Sequence, residues 1–276
     1  MTNANEKQIE KTNANPDLAL YFLLHTNPVY QYVTDEENIH IMILGAGDWA
    51  QRFIGIALQT CQVVGRGVTI TVACEDPENT KGNYLEKRPA VPKFVNVKVA
   101  AADGKLDKGT LDPNKVEVYG TLQFVYGAFK NDEQDNNKII GDLIGKFGIP
   151  QYVFIDLAQD DTRNYELAKI LANVIRNIDS TRKGFRFINY VVENKTNDNT
   201  DFTPVFVKEV ISDANLEPLE QMAFNAHLSW FNTLNINQIA ERDKFIKDTY
   251  NYNSSLAFVL SIPYKLWSVG IQYENG

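Results

Sequence analysis

The chain has 276 residues, 44% of them hydrophobic, and a formal net charge of −8. This apolar content is enough for one large or two small folded domains. The negative charge disfavours general binding to nucleic acid or acidic membranes, because it offers phosphates no positive field. Near the start, the apolar run LALYFLLH is far shorter than the ~20 residues that cross a bilayer. We therefore expect a protein that binds neither nucleic acid nor membrane.

The cysteines and histidines bear on compartment and metal binding. Cys61 and Cys74 lie in apolar segments, and no signal peptide or disulfide framework accompanies them. These features predict a cytoplasmic protein whose two thiols are buried as small apolar groups. The three histidines lack the spacing of a zinc site, so we predict no bound metal.

Residues 1–38 are predicted to form an N-terminal tail and a helical arm. The first 15 residues are polar and are expected to be disordered. Asp17 is placed to cap a short apolar helix that Asn27 and Pro28 end. Two uses of this helix are open, a dimer arm or packing on the domain's own core, and the pattern favours the second.

The central motif of the chain is the segment Ile39–Thr60, which reads IHIMILGAGDWAQRFIGIALQT. An apolar strand, a glycine turn and a helix follow one another directly, as in dinucleotide-binding domains. Gly45 can adopt backbone angles closed to other residues, and Gly47 lacks the Cβ that would keep a diphosphate away from the main chain. The N–H groups that open the helix would face the phosphates. The predicted phosphate contacts are Gly45, Ala46, Gly47, Asp48, Trp49 and Ala50.

A second strand, GVTITVACED, ends in Glu75 and Asp76, which are predicted to accept hydrogen bonds from the ribose hydroxyls of NAD or a related adenine nucleotide. Glu75 lies 75 − 45 = 30 positions after Gly45, against about 20 in the usual pattern. The absence of an arginine directly after Glu75 favours NAD over NADP. The alternative is that the glycines form only a tight turn and that Glu75 is a solvated strand end.

Strands and helices alternate over residues 39–195, which predicts a Rossmann-like, doubly wound and mostly parallel sheet. The polar connector after Asp76 is predicted to contain one helical turn around Tyr84 to Lys87. The irregular segment DGKLDKGTLDPNKVEVYG is interpreted as an insertion or a hairpin beside the ligand crevice. Asp160 and Asp161 are interpreted as caps of the helix that follows the strand QYVFIDL.

Residues 196–214 are predicted to be a linker or an edge element, and residues 215–276 a helical C-terminal region. The third helix of this region, SSLAFVLS, is expected to end before Pro263. His227 and Trp230 lie three residues apart on one helical face, where they either flank a pocket or pack in the core, and the pattern favours packing.

Two segments, HIMILGAGDWAQRF and FIDLAQDDTRNYELA, resemble the nucleotide-binding domains of the TrkA-N, or RCK, regulatory class. That resemblance implies phosphate binding at Gly45 and Gly47 and ribose binding at Glu75. The segment YNYNSSLAFVLSIPYKLWSVG is similar to the helical modules related to ryanodine-receptor (RyR) repeats. The residues that match this second pattern are Asn253, Ser254, Ser255, Lys265, Leu266 and Gly270.

These observations favour a regulatory domain that binds NAD(H) or a related adenine nucleotide and acts on its helical tail or on a partner, as a homodimer by default. An NAD-dependent oxidoreductase is one alternative, with the Tyr165 and Lys169 pair or His227 as candidate catalytic groups. A methyltransferase that uses S-adenosylmethionine and a non-catalytic interaction protein are the others.

Overall fold

The apolar runs of the sequence form one parallel sheet. The computed structural model describes residues 17–33, 38–63, 67–101, 104–111, 118–157, 161–179, 188–192, 203–206, 213–230 and 238–271. Seven strands pair in the order β3-β4-β2-β1-β5-β6-β7, and every pairing is parallel. The strands are β1 (Ile39–Leu44), β2 (Val68–Cys74), β3 (Val95–Val99), β4 (Gly120–Tyr126), β5 (Tyr152–Ile155), β6 (Ile188–Val192) and β7 (Thr203–Phe206).

The described part of the chain also contains eight α-helices. They are α1 (Leu18–Thr26), α2 (Asp48–Thr60), α3 (Pro77–Lys87), α4 (Glu133–Phe147), α5 (Asp161–Ile178), α6 (Asp213–Trp230), α7 (Gln238–Lys247) and α8 (Thr249–Ser268). One face packs on α4 and α5. The other face packs on α2 and shares a continuous core with α1, α6 and α8. The Rossmann-like α/β fold with a C-terminal helical extension is thus confirmed.

The central strand β1 sets the position of the crevice. All six of its residues are buried, as expected of a strand covered on both faces. β1 pairs with β2 on one side and with β5 on the other, so the chain changes winding direction between β1 and β5. In such sheets ligands bind beyond the carboxyl ends of the strands at this switch. β4 lies between β2 and β3, an order that differs from the usual 3-2-1 arrangement.

Three local predictions were wrong. The connector after β2 is the three-turn helix α3, because Asp76 accepts a hydrogen bond from Asn79 N at its start and Pro77 suits the first helical position. Asp17 makes no side-chain cap and instead pairs with Arg52 at 2.8 Å. Helix α8 continues through Pro263, because the turn that follows is held in the core by the buried ring of Tyr264.

The helical arm and the C-terminal helices pack on the sheet domain. Helix α1 is part of the main core, so the prediction that it covers its own domain is confirmed. The hydroxyl of Tyr264 in α8 accepts a hydrogen bond from Val29 N at 2.8 Å and lies 3.4 Å from the thiol of Cys61, which follows α2. Cys61 and Cys74 are both buried, as predicted, and burial raises the pKa of the Cys61 thiol to about 11.

The irregular segment after β3 protects the edge of the sheet. Residues 104–111 run back along β3, where the side chain of Asp107 accepts from Val99 N and Thr110 N donates to Val97 O, both at 3.1 Å. The free edge of a strand is a template for unwanted pairing, so this cover has a structural use. At the other edge of the sheet, the last strand is β7 (Thr203–Phe206). This strand lies within residues 196–214, which were predicted to be a linker or an edge element.

Among the helices that the structure describes, none combines the length and apolar character needed to cross a bilayer. The predictions for residues 1–15, for Asp160 and for the side chain of Asp161 lie outside the described residues.

Candidate functional site

The predicted glycine turn lies at the carboxyl end of β1, beside the end of β5. Gly45 has a φ of 95°, which only glycine adopts readily, and its N–H donates to Ala73 O at 2.9 Å. A Cβ at Gly45 would also overlap the backbone carbonyl of Asp156. Gly45 is therefore required both by its own backbone angles and by the close approach of β5.

The N-terminus of α2 holds a carboxylate from its own chain. Asp156, which directly follows β5 and is buried, accepts a hydrogen bond from Ala50 N at 2.8 Å through Oδ2. Its backbone oxygen also accepts from Gly47 N at 3.3 Å. A helix N-terminus attracts anions because its first N–H groups have no partner within the helix. Asp156 supplies that anion at the position where a diphosphate is expected.

Gly47 makes room for this carboxylate. Its backbone angles, φ −60° and ψ 173°, are open to any residue, so no conformational rule requires glycine there. A Cβ at Gly47 would overlap both carboxylate oxygens of Asp156. The space beside Gly47, where the sequence predicts a diphosphate, is thus occupied by the protein's own Asp156 carboxylate.

The other predicted phosphate contacts have different surroundings. The carbonyl of Ala46 accepts from Gln51 Nε2 at 3.2 Å, and Asp48 is exposed at the first position of α2. Trp49 is half-buried against the main core, and Ala50 is buried, as the close packing of helix and strand requires. Of this group, Ala50 binds an anion through its N–H, and that anion is Asp156.

The two predicted ribose acceptors lie at the end of β2, and both are exposed. Asp76 caps α3 through Oδ1, which accepts from Asn79 N at 3.1 Å. Asp76 also lines a cavity of about 650 Å³, whereas the described lining of that cavity does not include Glu75. The structure therefore separates the pair and brings Asp76 to the cavity.

This cavity, here called the sheet-edge cleft, lies beyond the carboxyl ends of β2, β3 and β4 and against α4. The ring of Tyr126, the last residue of β4, is 61% exposed in it. The volume is within the range of ordinary ligand sites. The lining residues are Asp76, Pro77, Glu78, Ala100, Ala101, Gly104, Val125, Tyr126, Ala128, Lys130, Asp135, Lys138, Ile139, Asp142, Leu143, Lys146 and Phe147.

Three lysines give the sheet-edge cleft its positive groups. The backbone of Lys130 is held on both sides by the buried Asn136, which donates to Lys130 O at 2.8 Å and accepts from Lys130 N at 3.1 Å. Lys146 donates to Gly104 O. Among the described residues, the ammonium groups of Lys130 and Lys138 have no ion-pair partner. These two cations are therefore available to an anionic ligand.

The catalytic groups considered for an oxidoreductase lie elsewhere. On α5, the Lys169 ammonium pairs with Glu166 at 2.6 Å and lies over the ring of Tyr165 at 4.9 Å. These three side chains therefore interact with one another along the surface of a single helix. His227 is buried between α6 and α7, where its Nε2 lies 3.6 Å from Glu241. Neither group is part of the described lining of the sheet-edge cleft.

The residues that match the RyR-like pattern have two separate positions in α8. At the helix end, Gly270 has a φ of 78°, and the N–H groups of Ile271 and Gly270 donate to Leu266 O and Trp267 O. These bonds are a Schellman ending, which explains the glycine. Ser254 and Ser255, by contrast, line a cavity between α6 and α8.

Sequence reasoning missed Asp156 and Tyr126. The signal for both was their place directly at the end of an apolar strand, where side chains reach the carboxyl edge of a parallel sheet. Comparison of the chain with protein-family models, with curated proteins and with solved structures finds no match.

Proposed function

We propose that the protein is a regulatory domain that binds NAD(H) or a related adenine nucleotide in the sheet-edge cleft. The observation that carries the proposal is that the exposed ring of Tyr126 shares one cleft with Lys130 and Lys138, at the ligand-binding edge of a Rossmann-like sheet. The ammonium groups of these two lysines have no ion-pair partner in the part of the chain that the structure describes. The ligand is thus displaced from the N-terminus of α2, which Asp156 already fills.

Each part of an adenine nucleotide has a partner in this cleft. The adenine ring stacks on Tyr126, since an exposed aromatic face stacks with any base. The ribose hydroxyls donate to Asp76, and the phosphates lie near Lys130 and Lys138. The other acids of the lining disfavour a highly charged ligand, so a dinucleotide or a monophosphate fits better than a triphosphate.

A regulatory role is supported by the packing of α2. This helix begins at the glycine turn and is followed directly by Cys61, which contacts Tyr264 in α8. One rigid element therefore joins the carboxyl edge of the sheet to the C-terminal helices. Helix α2 is not part of the described lining of the sheet-edge cleft, so a shift at that cleft would reach α2 through the paired strands β4, β2 and β1. It would then be passed to the C-terminal helices and, through them, to a partner or a second copy of the chain.

The test is calorimetric titration of the full chain with NAD, NADH, AMP, ATP and S-adenosylmethionine. Tyr126→Ala is expected to weaken binding about tenfold or more, because base stacking contributes ~1–3 kcal/mol. Tyr119→Ala is the matched control. Tyr119 is 47% exposed and directly precedes β4, so it lies at the amino end of the strand whose carboxyl end is Tyr126. Equal affinity of the two variants, or no binding of any of these compounds, would contradict the proposal.

Lysine variants test the phosphate contacts. Lys130→Ala and Lys138→Ala are expected to weaken NAD binding more than Lys169→Ala, which removes an ammonium group from the surface of α5. Asp156→Ala is expected to leave the affinity unchanged, because the cleft does not use the N-terminus of α2. A large gain in affinity in that variant would contradict this prediction and would indicate that the phosphates bind at the N-terminus of α2.

A further inference from the structure

We propose a second ligand site in the helical region, for a small uncharged molecule with a planar heteroaromatic ring. The site, here called the helical cleft, is a cavity of about 330 Å³ between α6 and α8. This volume is at the lower end of known ligand sites and suits a single ring system with a small substituent. The residues of the helical cleft are Ala226, His227, Trp230, Tyr250, Asn251, Ser254, Ser255 and Phe258.

Three aromatic side chains of the helical cleft are exposed. Trp230 is 78% exposed, Tyr250 79% and Phe258 40%. Large aromatic side chains are normally buried when a protein folds. Three exposed rings around one concave site are therefore unusual for the surface of a folded protein. Flat rings on opposite helices suit a flat ligand, which can stack on one ring and contact the edge of another.

The inner wall of the helical cleft is rigid. His227 is buried, with its ring stacked on Phe224 at a centroid distance of 6.4 Å and 4.8 Å from the ring of Phe245. The Nε2 atom of His227 lies 3.6 Å from Glu241 on α7. A wall held in place by contacts within α6 and with α7 needs no ordering when a ligand binds, so little binding free energy is lost there.

The polar groups of the helical cleft indicate the ligand's chemistry. The hydroxyls of Ser254 and Ser255 have no hydrogen-bond partner within the described part of the chain, and each can donate or accept. The side chain of Asn251 donates to Asp248 at 2.7 Å. Among the lining residues that the structure describes, none is acidic and none is a lysine or an arginine. Hydroxyls without charges match the polar edge of a neutral heterocycle better than an ion.

Tryptophan fluorescence can detect a ligand in the helical cleft. The chain has three tryptophans, and Trp230 is exposed in the cleft whereas Trp49 and Trp267 are half-buried. We would titrate the full chain with adenosine, guanosine, cytidine and nicotinamide. A ring stacked on Trp230 is expected to change its emission and to protect it from acrylamide. In Trp230→Phe the fluorescence change should be lost while calorimetry still detects binding.

Side-chain truncations complete the test. Tyr250→Ala and Trp230→Ala should each weaken binding about tenfold or more, and both variants should keep the wild-type melting temperature because the rings are exposed. Tyr126→Ala serves as the control that separates this site from the sheet-edge cleft. The inference is overturned if none of the four rings binds, or if binding survives both truncations. It is also overturned if the truncations only dissociate a dimer, since the aromatic surface would then be a protein interface.

Discussion

The contact between Gly47 and Asp156 predicts a strong coupling between two substitutions. Asp156→Ala removes the buried acceptor of Ala50 N. Gly47→Ala places a methyl group where the carboxylate lies, so the same hydrogen bond is broken by displacement. Because both changes remove one interaction, the second should cost little once the first has been made.

The size of the effect follows from the bond that is lost. A hydrogen bond to a charged group contributes ~1.5–3 kcal/mol, and loss of a helix N-cap costs ~0.5–2 kcal/mol. We expect each single variant to lower the free energy of unfolding by about 2 kcal/mol and the double variant by about 2–3 kcal/mol. The coupling energy is then about 1–2 kcal/mol.

Urea unfolding of the four proteins, followed by circular dichroism, measures this cycle. Gly45→Ala is the matched control, because its Cβ would overlap the backbone of Asp156 rather than the side chain, and because Gly45 has a positive φ. Asp156→Ala should therefore not relieve Gly45→Ala. Simple additivity of Gly47→Ala and Asp156→Ala would refute the assignment of Asp156 as the anion at α2.

Three further outcomes are expected. Tyr264→Phe should lower the free energy of unfolding by ~1–3 kcal/mol, because it leaves the buried N–H of Val29 without its acceptor; thermal unfolding measures this loss. Asn136→Ala should loosen the loop at Lys130, seen as faster amide hydrogen exchange there, while Asn137→Ala, whose side chain donates to Glu133 O of the same helix, should not. Burial lowers the pKa of His40 from 6.5 to about 4, so the unfolded chain takes up the proton first and stability is lost as pH falls from about 6.5 towards 4. That loss is about 3 kcal/mol, at ~1.4 kcal/mol for each pH unit between the two pKa values, and His40→Gln should remove it from a pH series of urea unfolding curves.

Local sequence patterns predicted the helices and strands well where no contact from a distant part of the chain opposes them. The strands β1 to β5 follow from apolar runs, and Asp132, directly before α4, caps that helix by accepting from Asp135 N. The errors arose where a local rule was overridden. Pro263 does not end α8, because the buried Tyr264 beyond it holds the next turn in the core. The side chain of Asp17 pairs with Arg52 across helices in place of capping its own.

The candidate site shows a similar division. The sequence located the turn at Gly45 and the acids after β2, and Asp76 does line the sheet-edge cleft. It did not indicate Tyr126 as a stacking surface. That depends on β4 lying between β3 and β2, and strand order is decided by which helices and edges pack together rather than by the strand's own residues.

By itself, therefore, the sequence determined which segments become buried strands and where a positive φ is needed, because both depend on residues close along the chain. Only the tertiary structure decided what fills the N-terminus of α2. Asp156 and Ala50 are 106 residues apart and meet because β5 pairs with β1. A glycine that suits a diphosphate suits a carboxylate equally well, and the identity of that neighbour is a property of strand pairing.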